Sequence, residues 1–261
     1  MGKIVVFGAM KGGTGKSSSS YNLAYSLAAE GKTVLVVDFD AQANTSTCFG
    51  IEDASALPIT VGHLMMNKIE DEDLPNPSEY IQSRNGVDFI PSSMMLSVVD
   101  AKLRLEMGAE KMLEGILEPL KDRYDYIIVD TCPAVGALTI NALAAADKVI
   151  VTVNPQLLAM CGLQDFLMTV KKIKSRLNPK LSVAGILLTM CDNRTNLCKV
   201  ITGQVEETFE GQIKVFRSRI PNTVKVGESI YYSQPLLEYA PESKACEAYR
   251  NLAREVIADE G

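Results

Sequence analysis

The sequence contains a single histidine, His63, and six cysteines (Cys48, Cys132, Cys161, Cys191, Cys198 and Cys246), none of them in a C-x-x-C pair. One imidazole with no nucleophile motif around it argues against a Ser-His-Asp or Cys-His machine. The scattered thiols assemble no zinc constellation from local spacing and read as buried free cysteines in a reducing compartment. Long hydrophobic runs are missing too. Nothing approaches the length of a membrane-spanning helix, and the first apolar run, Ile4-Val5-Val6-Phe7, is too short for a signal peptide and leads straight into glycines. The expectation is a soluble, cytoplasmic protein with a single domain over residues 1–261.

A net positive charge is also absent. Lys and Arg number 26 against 32 Asp and Glu, a formal charge of −6, which by itself argues against a nucleic-acid binder. The distribution qualifies that. Between Phe166 and Lys225 there are eleven basic residues and four acidic ones, a local +7 that leaves −13 on the rest of the chain. Lys171, Lys172, Lys174 and Arg176 within this segment read equally as an ordinary solvated helix face.

What is present is alternation. Residues 3–7 form an apolar β-type run, glycines follow, and Leu23, Ala24, Leu27 and Ala28 mark the buried stripe of a helix from Ser17 to Glu30 that Gly31 ends. Thr33–Asp38 is a second buried strand. Further apolar runs follow at Val87–Pro91, Tyr126–Asp130, Lys148–Val153, Val183–Thr189 and, shorter, Ile213–Phe216. Helix-like stretches separate them at Ala101–Leu120, Leu138–Ala146, Gly162–Leu177 and Leu197–Phe209. The polar segment 54–85 reads as a helix and loops. The predicted fold class is α/β: a doubly wound, mostly parallel twisted sheet with helices on both faces and ligands at the carboxyl ends of its strands.

Where the first strand turns into the first helix stands Lys11-Gly12-Gly13-Thr14-Gly15-Lys16-Ser17-Ser18. Glycines let backbone N–H groups converge on phosphate oxygens, and the helix N-terminus adds its partial positive charge. Lys16 is placed to meet the β and γ phosphates, and Ser17 to ligate Mg²⁺. These residues nominate ATP or ADP with Mg²⁺ as the ligand. Asp40, in Asp38-Phe39-Asp40-Ala41-Gln42-Ala43-Asn44 after the second strand, is the candidate that orients a water towards the γ-phosphate. Tyr126–Asp130 ends in a carboxylate in the Walker B manner, so Asp130 joins Ser17 as a candidate magnesium ligand.

Met10 occupies the place of the first glycine in the general phosphate-loop pattern, and a lysine, Lys11, precedes the Gly-Gly pair. In this the loop resembles the ParA/MinD group of deviant-Walker ATPases. The Asp38–Asn44 stretch is similar to that group's D-x-D-P-Q-x-N, with Ala41 in place of proline. Val153–Gln156 with Ala159–Leu163, Thr189–Asn196, Ile220-Pro221-Asn222 through Ser229, Gln234–Leu236 and Ala248–Leu252 extend the resemblance along nearly the whole chain. Its ending resembles the partition branch, since Glu255–Gly261 is acidic where MinD-like proteins carry a basic membrane helix.

The resemblance implies an ATP-dependent sandwich homodimer in which Lys11 reaches the partner's nucleotide. It implies non-specific double-stranded DNA as a partner, contacted by Arg194, Arg217, Arg219 and Lys225, and slow hydrolysis of ATP stimulated by a ParB-type protein. It implies a nucleoid-associated, membrane-free location and an adenine contact at Pro221. Asn222 and Gln234 stand where the family commonly has arginine and lysine, and no operator-binding helix-turn-helix precedes the first strand. Two other readings stay open: an ATPase that positions a protein assembly without binding DNA, and a synthetase that phosphorylates a small substrate on the same loop.

Overall fold

A computed structural model of the chain describes residues 1–133, 135–156 and 159–259. Ala134, at the end of the Walker B stretch, and Glu260-Gly261 of the acidic ending lie outside the described residues, as do Leu157 and Leu158. The first half runs β1 (Lys3–Gly8), α1 (Lys16–Ala29), β2 (Val34–Phe39), α2 (Asn44–Cys48), α3 (Val61–Ile69), α4 (Pro77–Tyr80), β3 (Gln82–Arg84), β4 (Val87–Ile90), α5 (Met95–Leu103) and α6 (Met112–Leu117). The second half runs β5 (Tyr126–Thr131), α7 (Ala137–Ala145), β6 (Lys148–Val153), α8 (Ala159–Arg176), β7 (Ser182–Leu188), α9 (Asn196–Phe209), α10 (Val224–Tyr231), α11 (Leu236–Tyr239) and α12 (Lys244–Ala258).

The seven strands form one sheet in the order β3-β4-β2-β5-β1-β6-β7, parallel except for the β3–β4 pair. Strand alternation divides its side chains between two cores. Ile4, Val6, Leu35, Val37, Ile127 and Val129 face the layer that includes α3, α5, α6, α7 and α8. Val5, Phe7, Val34, Val36, Tyr126 and Ile128 face α1 and α12. On α12 Ala245, Cys246, Tyr249, Leu252, Ala253 and Val256 recur at helical spacing and are buried, with Ala248 and Ile257 half-buried beside them. The Tyr249 hydroxyl lies 3.1 Å from Ser19 Oγ, which ties the C-terminal helix to the first turn after the phosphate loop.

Three local expectations are corrected. The helix expected over Ala101–Leu120 is broken into α5 and α6 around Gly108, which adopts a φ of +70°, and Pro119, with no N–H to donate, follows the end of α6. The run Ile213–Phe216 does not form a ladder; it touches β7 at a single bridge, Ile186 to Val215, with the Phe216 ring packed over Gly185. The segment 54–85 contains β3, the antiparallel edge strand. Among the described residues no helix is long and apolar enough to cross a membrane.

Candidate active site

Both arms of the sheet converge on the loop after β1. Gly13 and Gly15 hold φ values of +72° and +70°, a region that L side chains rarely adopt, so the glycines there are required by the turn. Gly15 is the residue before α1, and the Ser19 N–H donates to its carbonyl at 2.9 Å. The loop is pinned from the far side by β6 and the end of β7. Thr14 and Thr152 hydroxyls meet at 2.9 Å, and Thr189 Oγ1 donates to the Thr14 carbonyl at 2.8 Å. A cleft of about 70 Å³ opens between Lys11–Thr14 and the β6–α8 segment, lined there by Asn154, Gln156 and Gly162. Lys11, Gly12 and Gly13 are exposed, whereas Lys16 is only 6% exposed.

The carboxylates come from the neighbouring strands. Asp38 and Asp130 are register partners on β2 and β5. Burial pushes the Lys16 ammonium below its ordinary value, with Asp130 and then Asp40 opposing that shift. Asp130 Oδ2 accepts the Thr45 hydroxyl at 2.7 Å, while its Oδ1 is buried with no hydrogen-bond partner. Burial raises the Asp130 carboxyl, opposed by the Ser17 and Thr45 hydroxyls and by Lys16. An unpartnered carboxylate oxygen facing a serine hydroxyl and a phosphate loop fits a hydrated magnesium ion, which takes one or two protein oxygens and completes its octahedron with water and phosphate. Among the described residues no cluster of three or more His, Cys, Asp or Glu could hold a metal by protein ligands alone.

Asp40, 6% exposed, accepts the Gln42 N–H on Oδ1 at 3.0 Å, and its carbonyl accepts the Ser92 hydroxyl at 2.6 Å. Ser92 also donates its N–H to Ser46 Oγ at 2.9 Å, and Ser46 donates both N–H and hydroxyl to Asp38 Oδ2 at 2.7 Å. Thr45, Ser46 and Ser92 were not legible beforehand; they are common residue types in segments that only the fold brings together.

Asp38 is pushed up to about 8 by burial and by the neighbouring Asp130, and Ser46 moderates the shift. The folded chain therefore keeps the Asp38 proton to about pH 8, whereas the unfolded chain releases it near 4. That stability is present in full at acid pH and is lost progressively as pH rises across this window. The melting temperature of the nucleotide-free protein should fall from pH 5 to 8 more steeply than that of Asp38→Asn; parallel pH curves would contradict the shift.

The remaining sequence candidates sit at the β7 side. Pro221 is held by two backbone bonds, Cys191 N–H to the Ile220 carbonyl and Asn222 N–H to the Cys191 carbonyl, and lines a cavity of about 210 Å³ with Gly15, Ser18, Met190 and Thr223. This cavity lies against the start of α1, where a base attached to loop-bound phosphates would extend. Met190, with a positive φ of 51°, joins it without any sequence signal. The four nominated DNA contacts are exposed or half-exposed, and three are held by acids. Arg194 donates from Nε and Nη2 to Asp192 at 2.9 and 2.8 Å, Arg219 pairs with Glu206, and Lys225 reaches Glu228 at 2.9 Å. The backbone N–H of Arg217 donates to Glu255, and its side chain shares an open groove with Arg219 and Lys244. His63 is accounted for structurally: its Nδ1 accepts the Thr60 N–H at 3.1 Å at the start of α3.

Comparison with known proteins agrees with this geometry. A family model described as an AAA domain matches residues 2–183. The sporulation initiation inhibitor protein Soj of Bacillus subtilis is 38% identical over 99% of this chain and 100% of its own length. The chromosome-partitioning ATPase Soj of Treponema pallidum is 38% identical over 100% of this chain and 99% of its own length. Among solved structures, cobyrinic acid a,c-diamide synthase from Mycobacterium smegmatis with bound ADP and magnesium superposes with a TM-score of 0.84 at 28% identity, covering 100% of this chain and 96% of that one. With the family model spanning most of the chain and these relatives matching end to end, the chain belongs to the AAA-domain family that includes the Soj and ParA chromosome-partitioning ATPases.

Proposed function

We propose that residues 1–261 act as one cytoplasmic, nucleoid-associated partition ATPase that binds ATP with Mg²⁺, dimerises on it, coats DNA without sequence preference and is reset by slow hydrolysis. The observation that carries this reading is the buried Lys16 at the foot of a left-handed glycine loop, under Asp40 and the unpartnered oxygen of Asp130. Backbone N–H groups of Gly12 to Ser18 and the Lys16 ammonium hold the phosphates, and Ser17 with Asp130 holds the ion. Magnesium held there would supply charge neutralisation to the bound phosphates. Asp40 orients the attacking water, with its backbone fixed by Ser92. Lys11, exposed at the loop entrance, is free to reach a partner's nucleotide. Among the described residues no arginine lines the cleft beside Lys11–Thr14 or the cavity at Gly15 and Ser18, which supports a slow intrinsic rate and stimulation by a ParB-type partner.

The DNA reading rests on Arg194, Arg217, Arg219 and Lys225 around the edge of β7. The acid partners of Arg194, Arg219 and Lys225 form solvent-exposed pairs that water and salt screen, so a phosphate can displace them at little cost. Such contacts give salt-dependent, sequence-blind affinity. Arg194→Ala should weaken retention on non-specific duplex in ATP by about tenfold, with a shallower salt dependence, measured by filter binding. Undiminished retention there and in the Arg217/Arg219 double alanine variant would remove the DNA assignment. It would leave an ATPase that positions a protein assembly. A synthetase, the activity of the structurally similar diamide synthase, would instead require turnover that depends on a metabolite.

A further inference from the structure

Away from the phosphate loop, the edge of the sheet carries a second recess. β7 is an edge strand, and residues 213–216 meet it at the Ile186 bridge, beyond its start, so Ser182 and Val183 stay half-buried. Here a groove of about 660 Å³ opens between the start of β7, the second half of α8 and the residues around the end of α9. Its apolar lining is Leu167, Val170, Leu181, Val183, Phe209 and Ile213. Met168, 56% exposed, lines it too.

The charges on this recess are sorted along α8. Gln164, Leu167, Lys171 and Lys174 recur at helical spacing and share the face that lines the groove. Lys171 and Lys174 are exposed, and among the described residues neither forms an ion pair. Asp165, the acid on the same wall, precedes Lys171 by six residues, about 9 Å along the helix axis. An apolar trough that ends at two unpaired ammonium groups matches a molecule with an apolar body and an anionic head. Size narrows the choice further. From Gln164 to Lys174 the wall runs about 15 Å, and a partner's helix of that length and about 10 Å diameter fills roughly 1,200 Å³, well beyond the groove. Sites for small molecules run from about 300 to 1,000 Å³. A flat bilayer does not enter such a recess, and the formal charge of −6 opposes an anionic one.

We propose that this groove binds a free medium-chain carboxylate, with its hydrocarbon chain along Leu167, Val183 and Ile213 and its carboxylate at Lys171 and Lys174. Burial of the chain supplies most of the affinity, and the two ammonium groups fix which end lies where. The cleft beside the phosphate loop uses the other end of the same helix, at Ala159 and Gly162, so groove and cleft are separate places on α8. The inference therefore stands whether or not the chain hydrolyses ATP.

The test uses the full chain and dansylaminoundecanoate, a fluorescent carboxylate whose emission rises in apolar surroundings. Saturable emission should appear, be reversed by dodecanoate and weaken with salt as the lysine contacts are screened. Dodecanol and dodecyltrimethylammonium, which carry the chain without the anion, should displace the probe about tenfold less well. Lys171→Gln/Lys174→Gln should bind the probe about tenfold more weakly. Met168→Glu should do the same, because its carboxylate competes for Lys171 three residues on. All three side chains are exposed, so the variants should melt with the wild type. Excess ATP with Mg²⁺ should leave the probe in place. The absence of saturable binding, variants that bind like the wild type, or equal displacement by the neutral and cationic chains would each overturn the proposal. So would displacement by ATP, which would put the probe in the nucleotide cleft. An acidic amphipathic peptide that displaces the probe more tightly than dodecanoate would make the occupant a protein helix. Retention on phosphatidylglycerol vesicles that the lysine variant loses would make it a bilayer, and either result would contradict the free carboxylate.

Discussion

Lys16→Ala should lose nucleotide binding by about two orders of magnitude while keeping its fold. A charge-assisted hydrogen bond to phosphate contributes about 1.5–3 kcal/mol, and tenfold in affinity is about 1.4 kcal/mol. The loss lies at the upper end of that range because Lys16 also offsets Asp130 and Asp40. Without it, two buried carboxylates face the incoming phosphates with no cation beside them. The fold tolerates the change because burial already disfavours the ammonium, as its lowered pKa records. Titration of a fluorescent ATP analogue checks this, alongside thermal melting. Wild-type affinity in a folded Lys16→Ala protein would mean that the phosphates bind elsewhere.

Asp40→Ala should separate binding from turnover. The side chain makes one local contact, accepting the Gln42 N–H, whereas the backbone carbonyl keeps the Ser92 hydroxyl and the Ala43 N–H whatever the side chain. The loop geometry should survive and ATP should still bind. Hydrolysis should fall about a hundredfold or more, the range expected when a group that positions or deprotonates the nucleophile is removed. Single-turnover phosphate release measures it. A wild-type rate would end the water-orienting role of Asp40 and shift attention to Asp38, whose raised pKa and full burial suit it poorly for that task.

The difference between what was legible in the sequence and what was not has a physical basis. The phosphate loop was legible because its backbone demands glycine at Gly13 and Gly15, and its ligands demand Lys16 and Ser17 in fixed order. The parallel core was legible because strands buried on both faces, such as Val34–Phe39 and Tyr126–Thr131, read as unbroken apolar runs. β3 was not, since Gln82-Ser83-Arg84 is a polar three-residue edge strand paired on one side.

Within the site the same division holds. Asp40 and Asp130 declared themselves at strand ends. The serine relay through Ser46 and Ser92 did not, because it joins α2 to the residue just after β4 across 46 residues. The basic segment was visible as composition, but the Arg219–Glu206 pair that neutralises part of it depends on α9 folding back beside the β7 edge. Arg194 and Asp192, two residues apart, form their pair within a single turn.

The central claim, that ATP bound on this loop creates a DNA-coating state, is tested most directly with Asp40→Ala and non-specific duplex DNA, in ATP and in ADP, across a salt series. The account predicts tight binding in ATP that weakens steeply with salt, and little binding in ADP. Binding that is the same in both nucleotides, or absent in both, would contradict it.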